Sequence, residues 1–138
     1  MDVSLDKRFA AQPDAQAAAE IIRKCVHCGF CTATCPTYQL LGDESDSPRG
    51  RIYLIRAMLE QGTASAKTRT HLDRCLLCRA CETTCPSGVA YGHLLEAGRS
   101  LLEQVQPRPL VNTLRRKAVA KALVQGKAIN AAVKVAVS

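Results

Sequence analysis

All eight cysteines of the chain stand in two ladders of identical spacing. Cys25, Cys28, Cys31 and Cys35 are closed by Pro36, and Cys75, Cys78, Cys81 and Cys85 by Pro86. The run C-x2-C-x2-C-x3-C-P therefore occurs twice in 138 residues, with 39 residues, Pro36 to Arg74, between the two. No other feature limits the fold so tightly. Each ladder must turn thiols at three-residue steps toward a common centre.

This spacing is the bacterial ferredoxin pattern for cubane iron–sulfur clusters, in which the fourth cysteine of each run serves the neighbouring cluster. By that rule one cluster takes Cys25, Cys28, Cys31 and Cys85, and the other takes Cys75, Cys78, Cys81 and Cys35. The expected cofactors are two 4Fe-4S clusters. Three other uses of cysteine fit less well. Disulfides need an oxidising compartment. A structural zinc site takes four ligands in two pairs rather than an unbroken ladder. Inert buried cysteines would not repeat at fixed spacing.

The N-terminus, MDVSLDKRFAAQPDAQ, is polar and has no apolar run, so it does not read as a secretory signal. No stretch approaches a membrane span in length and apolarity. A cytoplasmic location with reduced thiols is expected. Small and hydroxylated residues lie between the ligands: Gly29, Thr32, Ala33 and Thr34 in the first ladder, Ala80, Thr83 and Thr84 in the second. They suit close backbone approach and hydrogen bonding to sulfur, which raise a cluster's potential. Lys24, Arg74 and Arg79 adjoin ligands and either act likewise or are simply solvated. His27 lies inside a ladder that already has its four cysteines, so it is not counted as a ligand. His71 and His93 read as ordinary surface or partly buried side chains. No nucleophile, acid/base pair or P-loop is evident, so the chain is expected to have no substrate-oxidising site of its own.

Helical signals dominate, and no segment alternates as a strand does. Residues 1–13 read as a flexible N-terminus. Asp14 is a candidate N-cap for AQAAAEIIRK. Ser47 and Pro48 open RGRIYLIRAMLEQ, which Gly62 stops; Ile52, Ile55, Met58 and Leu59 form its buried face. A short helix runs through His71 and Leu72 to Cys75. Another spans Tyr91 to Val105, with Leu94, Leu95, Leu101 and Leu102 inward. The cluster domain is thus residues 14–106.

Residues 107–138 form a separate basic tail. The twelve acids and twelve bases of residues 1–106 cancel, and the whole excess of +7 comes from Arg108, Arg115, Arg116, Lys117, Lys121, Lys127 and Lys134. Helix is expected from Asn112 to Val137, in one piece or in two around Gln125-Gly126. Arg116, Lys127 and Lys134 project to one side; Val111, Ala122, Ile129 and Val133 project to another, and Leu123, Val124 and Val135 blur the separation. Such a helix either links to a further domain or rests on a partner or an anionic membrane surface. No recognition motif accompanies the charge, so nucleic acid is not an expected partner.

The long helical insert between ladders resembles the α-helical ferredoxin type rather than the small hairpin-based one. The stretches CVHCGFCTATCPTYQLLGDESDSPRGRIYLIRAMLE and HLDRCLLCRACETTCPSGVAYGHLLEAGR sharpen this. From about Ile21 to Arg99 the chain resembles the iron–sulfur subunits of bacterial glycolate oxidase (glycolate dehydrogenase). The resemblance implies an all-α fold: two cubane-binding loops between helices, then a basic helical tail. It implies the eight cysteines as ligands at matching positions and flavin-containing glycolate oxidase subunits as partners. It also implies relay of electrons from the flavin toward the respiratory chain; the expected location is cytoplasmic, with peripheral contact at the inner face of the cytoplasmic membrane left open. A stand-alone two-cluster ferredoxin, or the same role in a lactate or glycerol 3-phosphate dehydrogenase complex, are the alternatives. Members of that family continue into a region with a Cys-Cys-Gly pattern. The chain ends at Ser138 without one and is expected to be a fragment or a truncated form.

Overall fold

The computed structural model describes residues 1–124. These residues are organised by helices, and no strand occurs among them. Two units separate at Gln106/Pro107.

In the first unit, helix α1 (Pro13–Arg23) begins at Pro13, with Gln12 rather than Asp14 as its N-cap. The proline's fixed φ suits a first helical position, which leaves Asp14 in the first turn. Two short helices follow, α2 (Phe30–Ala33) and α3 (Pro36–Leu41), then a 3₁₀ turn at Glu44–Asp46. Helix α4 (Pro48–Gln61) is opened by the Ser47 side chain, which accepts from the Gly50 N–H at 2.9 Å. It is closed by left-handed Gly62. Helix α5 (Ala66–Arg74) is capped by Ser65. Helix α6 (Ala80–Thr83) and the long α7 (Tyr91–Val105) complete the unit.

The core is aliphatic, as the scarcity of aromatics demands. Ala15, Ala18, Ala19 and Ile22 of α1 face α7, and the small alanines let the two helices approach closely. Ile52, Ile55, Met58 and Leu59 of α4 meet Leu94, Leu95, Leu101 and Leu102 of α7, with Leu72 of α5 beside them. Each is 3% exposed or less, so the helical periodicity of the sequence marks the buried faces correctly.

The N-terminal residues correct an expectation. They do not fray. Val3 and Phe9 are buried in the core, and the Asp6 N–H donates to Leu59 O at 2.8 Å. Arg8 also reaches the Gly62 carbonyl at 3.1 Å. Polar composition hid two apolar anchors, of which Phe9 covers enough surface to hold the segment down.

The second unit carries α8 (Leu110–Val124), which buries no side chain within the described residues. The break considered at Gln125-Gly126, and the positions Lys127, Ile129, Val133, Lys134 and Val135, lie outside the described residues.

Candidate metal centre

The two ladders adopt the same backbone path. In each, a helix ends just before the first cysteine: Cys25 N–H donates to Ile22 O at 2.9 Å, and Cys75 N–H to Leu72 O at 3.4 Å. Left-handed residues then bracket the second cysteine: His27 (φ 53°) and Gly29 (φ 87°) around Cys28, Leu77 (φ 55°) and Arg79 (φ 59°) around Cys78. Left-handed conformations are costly for side chains of this bulk. Their recurrence at matching positions marks a geometry that the surroundings enforce. One turn of helix, α2 or α6, carries the third cysteine, and a proline follows the fourth. The two turns pack together, and the Thr34 hydroxyl donates across to Ala80 O at 3.3 Å.

Two adjoining cavities result. The first is lined by Cys25, Cys28, Cys31 and Cys85, with Cys81 at its border; Val26, Phe30, Ile52 and Val89 are among its walls. The second is lined by Cys75, Cys78, Cys81 and Cys35, together with Thr37, Arg51, Leu76 and Arg79. Tyr91 and Pro48 border both. The fourth cysteine of each ladder thus lies in the cavity of the other. Cys25, Cys35 and Cys81 are buried, while Cys28 and Cys78 are exposed.

The donors fit a soft metal centre. All eight cysteines are free thiols. Burial pushes the Cys81 thiol up to about 12, with neighbouring cysteines adding to the effect. Burial likewise raises Cys25 and Cys31, against partial relief from the backbone N–H of His27 and of Arg49 respectively. Four sulfurs converging on one cavity cannot all ionise without a cation among them. Thiolate ligation to iron supplies that compensation.

A buried polar network stands beside the second cavity. Arg51 and Asp46 are both fully buried and pair at 3.2 Å. Arg51 also donates to His71 O at 2.7 Å and to Thr37 Oγ1 at 3.1 Å, and its Nη1 lies 3.9 Å from Cys35 Sγ. Arg74 holds the other Asp46 oxygen at 2.9 Å. His71 Nδ1 approaches Asp46 at 3.1 Å, off the direction a hydrogen bond needs. The Tyr91 hydroxyl donates to Cys75 Sγ at 3.7 Å.

Sequence reasoning about charges beside ligands found Arg74 and Arg79 but missed Arg51, Asp46, Thr37 and Tyr91. A signal for Arg51 was present. It shares the helical stripe of Ile55, Met58 and Leu59, where an arginine must be buried and partnered. Of the other residues considered, Lys24 is exposed, and His27 stacks on Tyr53 with ring centres 4.4 Å apart. His93 is exposed on α7.

Residues 21–89, half of the chain, match the 4Fe-4S dicluster domain. The chain belongs to that family. Two 4Fe-4S clusters are its cofactors. The dicluster domain also has full-length relatives. The chain is 57% identical over 117 residues to the glycolate oxidase iron-sulfur subunit of Escherichia coli (strain K12), covering 85% of the chain and 29% of that protein. It is 44% identical over 95 residues to the probable glycolate oxidase iron-sulfur subunit of Bacillus subtilis (strain 168), covering 67% of the chain and 21% of that protein. The chain therefore spans less than a third of the length of these relatives. No solved structure matches it. Among the described residues no helix is long and apolar enough to cross a membrane.

Proposed function

We propose that the chain is the electron-relaying part of a glycolate oxidase complex, with Cys25, Cys28, Cys31 and Cys85 holding one cluster and Cys75, Cys78, Cys81 and Cys35 the other. The observation that carries this reading is the pair of adjoining four-thiol cavities with a common wall, in a chain similar to subunits of that name. When bound, the clusters take up and pass on single electrons. The protein holds them side by side, buries Cys25, Cys35 and Cys81, and positions polar groups against the sulfurs.

On this reading the substrate is oxidised on flavin-containing subunits, and the electrons leave toward the respiratory chain. The work is cytoplasmic, where thiols stay reduced. Basic α8, whose apolar side chains Leu110, Val111 and Leu114 are exposed, supports contact with a partner or with the inner membrane face.

Iron and sulfide analysis tests the cofactor reading: about eight irons per chain are expected, as two cubanes require. Co-purification tests the partner: a stable complex with a flavoprotein that reduces the clusters when given glycolate supports the proposal. A free monomer reduced by several unrelated reductases would instead indicate a stand-alone ferredoxin. Exchange of ligands has its own test. Cys35→Ser is expected to alter the EPR signal of the cluster bound by the second ladder, and an effect confined to the first ladder's cluster would refute the exchange.

A further inference from the structure

The two cavities are alike in cysteine arrangement but not in the groups that meet their sulfurs. At the second cavity two side chains, Arg51 and Tyr91, point donors at ligand sulfurs, and Thr37, whose hydroxyl donates to Asp46 O at 2.9 Å, stands beside them. Arg51 lies 3.9 Å from Cys35 Sγ, the Thr37 hydroxyl 3.2 Å from the same sulfur, and the Tyr91 hydroxyl 3.7 Å from Cys75 Sγ. Arg51 is fully buried, so water does not screen its charge. Its partner Asp46 is shared with Arg74, which leaves Arg51 only partly neutralised. Asp43 is also near this network, but it is exposed and accepts from the Ser45 N–H.

The first cavity has no such set. Among the described residues no side chain hydrogen-bonds to Cys25, Cys28, Cys31 or Cys85; Cys25 and Cys31 meet only the neutral backbone N–H groups of His27 and Arg49, and apolar Val26, Phe30, Ile52 and Val89 form much of the wall. Its nearby cations are the N-terminal amine and Arg49. The first is exposed, and the second is partly exposed and already paired with Glu44. Each cavity has one exposed cysteine, Cys28 or Cys78; two thiols of the second set, Cys35 and Cys81, are buried, compared with one of the first, Cys25, so the donors of the second cavity act in the drier site.

Hydrogen bonds and positive charge at ligand sulfurs favour the reduced, more negative form of a cluster. We propose that Arg51 and Tyr91 give the cluster held by Cys75, Cys78, Cys81 and Cys35 the higher reduction potential, so that electrons run downhill from the first ladder to the second. The inference rests on the ligand assignment proposed above. In each transfer one electron leaves the first cluster, which is oxidised, and joins the second, which is reduced. No bond is made or broken. The electron originates in a reduced flavin partner or, in the test, in dithionite.

The experiment is an EPR-monitored redox titration of the full chain loaded with iron and sulfide. Cys28→Ser and Cys78→Ser, at the two exposed ligands, identify which signal belongs to which ladder. The expected result is that Cys78→Ser alters the higher-potential signal. Arg51→Met is expected to shift the reduction equilibrium of that signal about tenfold toward the oxidised form, 59 mV for one electron. Arg51→Lys, which keeps the charge, is expected to recover most of the shift. Tyr91→Phe keeps the ring and removes only the hydroxyl, so it decides the matter if Arg51→Met does not fold; a shift of about twofold in the same signal is expected. The inference is overturned if Cys78→Ser marks the lower-potential signal, or if these variants move both signals equally or neither. A wild-type chain that binds no iron would remove the ligand assignment, and this inference with it.

Discussion

Gly29 and Arg79 occupy equivalent positions, each directly after the second cysteine of its ladder, and both are left-handed, with φ of 87° and 59°. The two differ in what their surroundings permit. Arg79 falls in the ordinary left-handed well, whereas Gly29 lies beyond it. A Cβ on Gly29 would also come within 3.0 Å of Arg49 Nη1. Gly29→Ala is therefore expected to cost about 1–2 kcal/mol. Arg79→Asn, which keeps a residue tolerant of this conformation, should change stability by less than about 0.5 kcal/mol. Urea midpoints of the two variants provide the comparison.

Gly50 sits where helix α4 passes the 3₁₀ turn. A Cβ there would lie 1.9 Å from the Glu44 carbonyl oxygen, which is backbone and cannot swing aside. Gly50→Ala should lose at least about 3 kcal/mol, because the turn bearing Asp46 must move off the helix bearing Arg51. Gly98→Ala meets Ile55 Cδ1 at 2.7 Å, the far end of a side chain that can rotate, so about 1–2 kcal/mol is expected. Thermal melting of both variants would show whether the order holds.

Asp46 and Glu44 are neighbours in sequence with unlike duties. Asp46→Ala strands Arg51 in the interior and is expected to cost about 3–5 kcal/mol. Glu44→Gln breaks a half-exposed pair with Arg49 and should cost less than about 1 kcal/mol. Comparable losses in chemical denaturation would mean that the Asp46–Arg51 pair is not the buried anchor its geometry indicates.

The buried thiols set a pH response for the metal-free chain. Cys81 is raised from 9.0 to about 12 by burial. Between those values the unfolded chain has released this proton and the folded chain retains it, so stability falls as pH rises through the window. Below it both forms are protonated and the group adds no slope. Cys25 and Cys31, also raised by burial, act in the same direction. Denaturation midpoints of the metal-free chain should hold near pH ~7 and drop toward pH ~11, and Cys81→Ala should flatten the fall. A rise in stability with pH would contradict it.

Much of this fold is legible in the chain because its signals are local. Ser47, Pro48 and Gly62 delimit α4 as read, and the apolar residues of α4 and α7 turn inward as their spacing requires. The cysteine ladder names its cofactor because few arrangements of thiols repeat in this way. Other features were not legible because they depend on distant partners. Phe9 finds its place only once α1, α4 and α7 have formed a surface for it. The left-handed backbone at Leu77 has no glycine to announce it. Arg51 reads as one more surface cation until the helical stripe it shares with Ile55 and Met58 is traced to the core.

The crossing of Cys85 into the first cavity, and of Cys35 into the second, also sets an order of assembly. During synthesis the first ladder emerges with only three of the thiols around its cavity, and the fourth is still 50 residues from its counterpart Cys35. The thiols that line either cavity are not all present in an N-terminal half of the chain. On the ligand assignment proposed above, a chain that ends before Cys81 completes neither ligand set, so cluster assembly waits for both ladders to be made.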